Sequence, residues 1–250
     1  MAAVANDWTP RVPRDKPHDR HNLALFLAPT PDPDLLVPGP LVQPTGGIAY
    51  YPNGEAIPAD RGGGLLLSFT QAGIHACRVE TLPDPDRPCL VPRGGRSPAV
   101  VADDRVTLHH HDSSVAVLPP RAAVTAERAT LCCTLRLDRY SGSPTTLMTL
   151  DSGGEAISLL AADTDRDDRL MIRAGGATHD LGPLELGRDT DVRIDLAPHA
   201  CRIDAAGGRR EMPSRHAFPR LAFGNSRPVP PSPMPPSGVM TASFSAIRLT

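Results

Sequence analysis

Aromatic side chains are scarce in this chain. They make up 4% of its 250 residues, with one tryptophan, three tyrosines and five phenylalanines. A wide platform of stacked rings is therefore not expected on its surface. Lysine is rarer still: Lys16 stands alone, and the other basic residues are arginines. A GC-rich coding sequence accounts for that bias and for the excess of alanine, proline and glycine. Long apolar runs are missing. No stretch approaches the ~20 apolar residues needed to span a bilayer, and the first residues carry no apolar core of a signal peptide. A soluble chain without a membrane partner is expected. Charge of one sign is also missing, since the net charge is −2. Without a basic stripe there is nothing to neutralise phosphates, which excludes nucleic acid as the expected partner. The five cysteines (Cys77, Cys89, Cys132, Cys133, Cys201) are odd in number. At least one is unpaired, their spacing fits no zinc signature, and a reducing, cytoplasmic compartment is favoured.

What the chain does have is proline, 29 residues, and glycine, 21 residues. At that density long helices are excluded, because proline removes a helix donor and clashes with the preceding turn. Apolar residues at 40% suffice for a packed core. Residues 1–45 read as a proline-rich irregular arm whose apolar piece is Leu23 to Leu27. Residues 46–96 read as a small β-meander and a linker: strands at 47–51, 64–70 and 74–79, a turn at Pro52-Asn53-Gly54, and a linker over 82–97. From residue 97 to 250 short strands follow one another at regular spacing with turn residues between them, the pattern of an all-β sandwich. The hairpin of Ile157 to Ala162 and Leu170 to Ala174 is its clearest unit. Alternation along it places Ile157, Leu159, Leu170 and Ile172 in the core. The same rule puts Cys133 inside with Leu131, Leu135 and Leu137, and Cys132 outside. It sets Val192, Ile194 and Leu196 against Asp191, Arg193 and Asp195, and groups Met240, Ala242, Phe244 and Ala246.

Several pieces carry a resemblance. Ser114 to Leu118 precedes Ala129 to Leu137; the Ile157/Leu170 hairpin, Thr190 to Leu196, Cys201 to Gly208 and the closing Phe244 to Leu249 follow. In that order residues 97–250 resemble a concanavalin A-like jelly roll, most nearly the laminin-G-like type. The resemblance implies a two-sheet β-sandwich with an N-terminal β extension, and a last strand paired with the first. The chain departs from the family in lacking a tryptophan on the Thr134 strand and in carrying a proline insertion, Pro228 to Pro236. Through Gly47 to Tyr51, Ile57 to Leu67 and the strand end at Val79, residues 46–80 resemble one blade of the propellers of sugar dehydrogenases. A single blade closes no ring, so no cofactor follows from it.

Function is far less visible. No Gly-x-Ser-x-Gly elbow is present, and the glutamates at 55, 80, 127, 155, 185 and 211 begin none of the paired-carboxylate motifs that glycosidases use. The expected function is a non-catalytic module that binds a carbohydrate or a protein through its loops. The alternatives are a glycosidase-like enzyme, or the remnant of one, and a structural component of a larger assembly, for which the N-terminal arm would supply the oligomer contact. Tyr140, with Asp138 and Arg139, is the candidate ligand site: a ring flanked by polar groups at a strand end. No cofactor is expected. Asp163, Asp165 and Asp167 would be the ligands were calcium to bind, since they set oxygens two residues apart; but the run lacks an EF-hand's glycine and bidentate glutamate, and reads as a solvated corner. His109 to Asp112 reads as a polar strand end.

Overall fold

The computed structural model describes residues 2–6, 23–27, 37–41, 50–61, 64–70, 74–79, 87–92, 99–102, 104–110, 113–120, 122–123, 128–142, 144–151, 156–164, 167–197, 199–213, 220–224 and 239–250. Strands dominate them. β1 (Ala2–Asn6), β2 (Leu23–Leu27) and β3 (Val37–Leu41) form one small sheet. The stretch expected to be irregular therefore carries paired strands, with the apolar run Leu23–Leu27 at the centre. β4 (Tyr50–Ala56), β5 (Leu65–Thr70) and β6 (Ile74–Val79) form a second antiparallel meander. The expected turn at Pro52-Asn53-Gly54 lies instead inside β4. β4 is an edge strand with its register broken between Tyr50 and Asn53, and edges and bulges are where a sheet tolerates proline and glycine.

The remaining strands are β7 (Cys89–Pro92), β8 (Val100–Ala102), β9 (Arg105–His110), β10 (Ser114–Leu118), β11 (Ala129–Arg139), β12 (Thr145–Asp151) and β13 (Ala156–Asp163). After them come β14 (Asp168–Ala174), β15 (Ala177–Pro183), β16 (Asp189–Ala197), β17 (Ala200–Ala205), β18 (Gly208–Pro213), β19 (Arg220–Gly224) and β20 (Val239–Leu249). They build two antiparallel sheets of seven strands, in the orders β15-β14-β13-β12-β19-β10-β7 and β18-β17-β16-β11-β20-β9-β8. This is a β-sandwich. Its first strand, β7, falls in the stretch read as a linker; Cys89 and Leu90 pair with Leu118 and Val117. The closing strand pairs with β11 and β9 rather than with β8.

Alternation fills the space between the sheets. Leu131, Cys133, Leu135 and Leu137 of β11 are buried, as are Val192, Ile194 and Leu196 of β16. From the other sheet come Ile157, Leu159, Leu170 and Ile172, between 0% and 5% exposed, as the alternation requires. The closing strand departs from its pattern at one point. Met240, Ala242 and Phe244 are buried, but Ala246 has φ of 50° and is exposed. Between the pairs Cys132–Arg248 and Thr134–Ser245 the register slips, so two residues of β20 stand opposite one of β11. That bulge turns Ala246 outward.

The two outer faces differ. On the sheet that contains β10 and β13, Ala116, Leu118, Leu160, Ala162 and Ala222 are buried although their neighbours already face the core. A sheet buried on both sides reads as a continuous apolar run, which Val115 to Leu118 and Leu159 to Ala162 are. β3 lies alongside β7 and β10 at this sheet. The outer face of the β11/β16 sheet is exposed and polar, with Asp191, Arg193, Arg209 and Arg248 all in contact with solvent. It is the open face of the sandwich.

Candidate functional site

Cross-strand register organises the open face. One row runs Arg209, Asp204, Arg193, Cys132, Arg248 across β18, β17, β16, β11 and β20. The next runs Glu211, Arg202, Asp195, Thr130. Opposite charges placed directly across a sheet attract, and here they interlock. Asp195 accepts from Arg193 Nε at 3.0 Å, from Thr130 Oγ1 at 2.9 Å and from Arg202 Nη2. Asp204 accepts from Arg209 Nε. Arg202 Nε is buried without an acceptor and lies 3.6 Å from Asp204 Oδ2, too far for a hydrogen bond. Thr134 donates to Asp191 at 3.1 Å.

Two cavities open along these rows, one at each. The larger, about 780 Å³, has Cys132 and Thr134 on its floor, Arg193, Asp191 and Asp204 on one wall, and Ala246 and Arg248 on the other. The smaller, about 440 Å³, lies between Thr130, Asp195, Arg202, Glu211 and Arg128. Arg193 borders both, so the two lie next to each other on the open face as a groove in two parts. No aromatic residue lines either part. The Ala246 bulge contributes to the wall because it faces outward.

Burial pushes the Asp195 carboxyl up, but hydrogen bonds from Arg193, Thr130 and Arg202 outweigh it and leave the group below its ordinary range. A lowered native pKa stabilises the fold above the unfolded value of about 3.9 and ceases to do so as pH falls through the native value. Asp195→Asn should therefore cost about 1 kcal/mol at pH 7. The cost should shrink as pH drops below about 4. Urea melts of both proteins at pH 7 and pH 3 check this, and a pH-independent difference would contradict it.

The thiols divide as alternation requires. Cys133 and Cys201 are buried in the core, which pushes each thiol up to about 12. Cys132 is half-buried on the groove floor.

The sequence candidates occupy the far end of β11. Tyr140 is half-buried against the core and donates to Asp168 Oδ1 at 2.5 Å. Burial, that hydrogen bond and the charge of Asp163 all raise its phenol. Asp138 accepts from Arg136 Nε at 2.8 Å, and Arg139 is exposed. The ring packs against the core, and its hydroxyl is engaged by Asp168. Asp163 stands opposite Asp168 across the hairpin, and its N–H donates to the Gly142 carbonyl at 3.3 Å. Asp167 is exposed, and its carbonyl accepts from Thr164 N and Oγ1. Asp165 lies outside the described residues, as do Pro228 to Pro236. Among the described residues no group of three or more His, Cys, Asp or Glu is placed to hold a metal.

Sequence reasoning saw Asp191, Arg193 and Asp195 on an outward face but not their partners. Arg202, Arg209 and Arg248 join them through strand register, which a single chain does not display. The bulge at Ala246 carries no glycine or proline to mark it.

No family model matches the chain, and no curated protein matches it. Solved structures do. A sialidase aligns over 100% of the chain at 13% identity with a TM-score of 0.52. The sialidase from Trypanosoma rangeli aligns over 100% at 13% identity and 0.41, covering 48% of that chain. An alginate lyase from Alteromonas sp. 272 aligns over 58% of this chain and 77% of its own at 9% identity and 0.39. The chain spans 27% of the first sialidase's length, and what the two share is the fold.

Proposed function

We propose that this chain is a non-catalytic glycan-binding sandwich of the concanavalin A-like type, with its two small N-terminal sheets as an extension, and that the ligand lies in the groove of the open face. The groove carries the reading: a cavity of about 780 Å³ where carboxylates, guanidinia and hydroxyls converge. Carboxylates accept from sugar hydroxyls, and guanidinia donate to them. On the opposite sheet the outer face is buried at Ala116, Leu118, Leu160, Ala162 and Ala222, and its polar residues, among them Arg169, Arg173 and Asp180, stand on the β14/β15 edge. One structural neighbour is a sialidase. That name belongs to the other protein, and here it makes sugar the first ligand to test. Three donors lower the Asp195 carboxyl, which makes that group a poor general acid.

A glycan array probed with the full chain tests the reading. At least one glycan should bind, and Asp191→Asn should weaken it about tenfold, the range of a lost hydrogen bond to a charged group. A blank array, or binding indifferent to Asp191→Asn, overturns it. Release of new reducing ends from a bound glycan would transfer the groove to the enzyme reading.

A further inference from the structure

Resting on the glycan reading, we propose that the ligand is an acidic polysaccharide whose anionic groups are held at Arg248 and Arg128. The charges of the groove are sorted by side. Arg193 and Arg202 both pair with Asp195, and Arg209 pairs with Asp204. Among the described residues the side chains of Arg248 and Arg128 have no ion-pair or hydrogen-bond partner, and both are exposed on the groove. Both stand on the β11/β20 side. The carboxylates without a guanidinium partner, Asp191 and Glu211, stand on the β16/β18 side. A chain of sugars laid along β11 would therefore turn its anionic groups toward one wall and its hydroxyls toward the other.

Spacing extends the argument from one sugar to several. Arg248 stands opposite Cys132. Arg128 precedes Cys132 by four positions, roughly 13 Å along an extended chain. Two guanidinia that far apart engage two anionic groups of one polymer, and arginine's planar fork suits carboxylate and sulfate alike. A neutral sugar gains less here, because no aromatic ring lines the groove for it to stack on. The protein's net charge of −2 gives a polyanion no general attraction. Binding must come from the site.

Cys132 on the groove floor reports occupancy: Cys133 and Cys201 are buried, and Cys89, half-buried on β7 of the other sheet, serves as the reference thiol. The full chain is run through native gels containing polygalacturonate, its methyl-esterified form, dextran sulfate or dextran. Alkylation of Cys132 by iodoacetamide is followed in parallel by peptide mapping. Retardation by polygalacturonate or by dextran sulfate, with slower alkylation of Cys132 and little effect of the uncharged polymers, is expected. Which of the two retards decides between carboxylate and sulfate. Arg248→Gln and Arg128→Gln should each weaken retention about tenfold at unchanged melting temperature. Arg173→Gln, on the other sheet, should not. Retention by neither charged polymer, equal retention by an uncharged one, or full retention by Arg248→Gln overturns the proposal. Binding of a neutral glycan on the array would leave the glycan reading standing without it; a blank array as well would remove both.

Discussion

Gly208→Ala should destabilise the sandwich by more than about 4 kcal/mol, beyond the usual range of single substitutions. The reason is a backbone-to-backbone contact between the sheets at one edge. A Cβ on Gly208 would lie 2.1 Å from the Leu181 carbonyl oxygen and 2.8 Å from the Leu181 Cα. Backbone cannot swing aside as a side chain would, so β18 must leave β15 or the turn before it must break. Gly182 is matched to it: a Cβ there would lie 2.1 Å from the Ala206 carbonyl oxygen, and its φ of 140° is one that L-residues avoid. The comparison that isolates the clash is Gly176→Ala. Gly176 also has positive φ, 82°, but nothing stands within 4 Å of its Cβ position. Its substitution should cost only the left-handed strain of about 1–2 kcal/mol. Urea melts of the two variants decide the matter. If Gly208→Ala unfolds no more easily than Gly176→Ala, the two sheet edges do not meet at Leu181 and Gly208.

That contact also marks the limit of what was legible in the sequence. Period-two alternation was enough to assign Ile157, Leu159, Leu170 and Ile172 to the core, and to send Cys132 and Cys133 to opposite faces, because each assignment is local to one strand. It failed at Ala246, where a bulge without a glycine or proline to mark it reversed the phase. It failed at Pro52-Asn53-Gly54, whose turn chemistry was overridden by an edge position in a sheet. The arm and the linker were misjudged for a related reason. Strands as short as Ala2–Asn6 and Cys89–Pro92 are made by their partners, and neither run has enough alternation to announce itself.

The open-face groove was hidden more completely than the fold. Its outward residues were readable strand by strand, yet a site depends on which strands are neighbours. β20 lies beside β11, more than 100 residues away in sequence, and that adjacency alone brings Arg248 to Cys132. The aromatic signal pointed elsewhere, to Tyr140, because a ring beside Asp and Arg resembles a sugar platform. The structure gives that ring other work: it packs against the core and donates to Asp168, and so helps to hold a hairpin end where Asp163 and Asp168 face one another. Like charges directly opposite repel, and the phenol donor offsets part of that repulsion.

The second large effect is expected at the centre of the core. Phe223 of β19 and Phe244 of β20 are both fully buried, and their rings meet with centroids 4.5 Å apart at 41°. They belong to different sheets, each on the fifth strand from the edge at which β15 and β18 meet. The pair therefore bridges the sandwich where the sheets face one another. Phe244→Ala removes a ring from a close-packed site that cannot refill itself, and should cost about 3–5 kcal/mol. Phe223→Ala should cost a similar amount, since it empties the same space from the other side. Because the two share one contact, the double variant should cost less than the sum, by about 0.5–1.5 kcal/mol for the lost ring–ring term. Phe244→Leu, which keeps most of the volume, should fall well short of the alanine variant. Denaturant melts of the four proteins close the cycle. Strictly additive costs would mean that the rings do not touch and that the sheets are held together by the aliphatic layers around them.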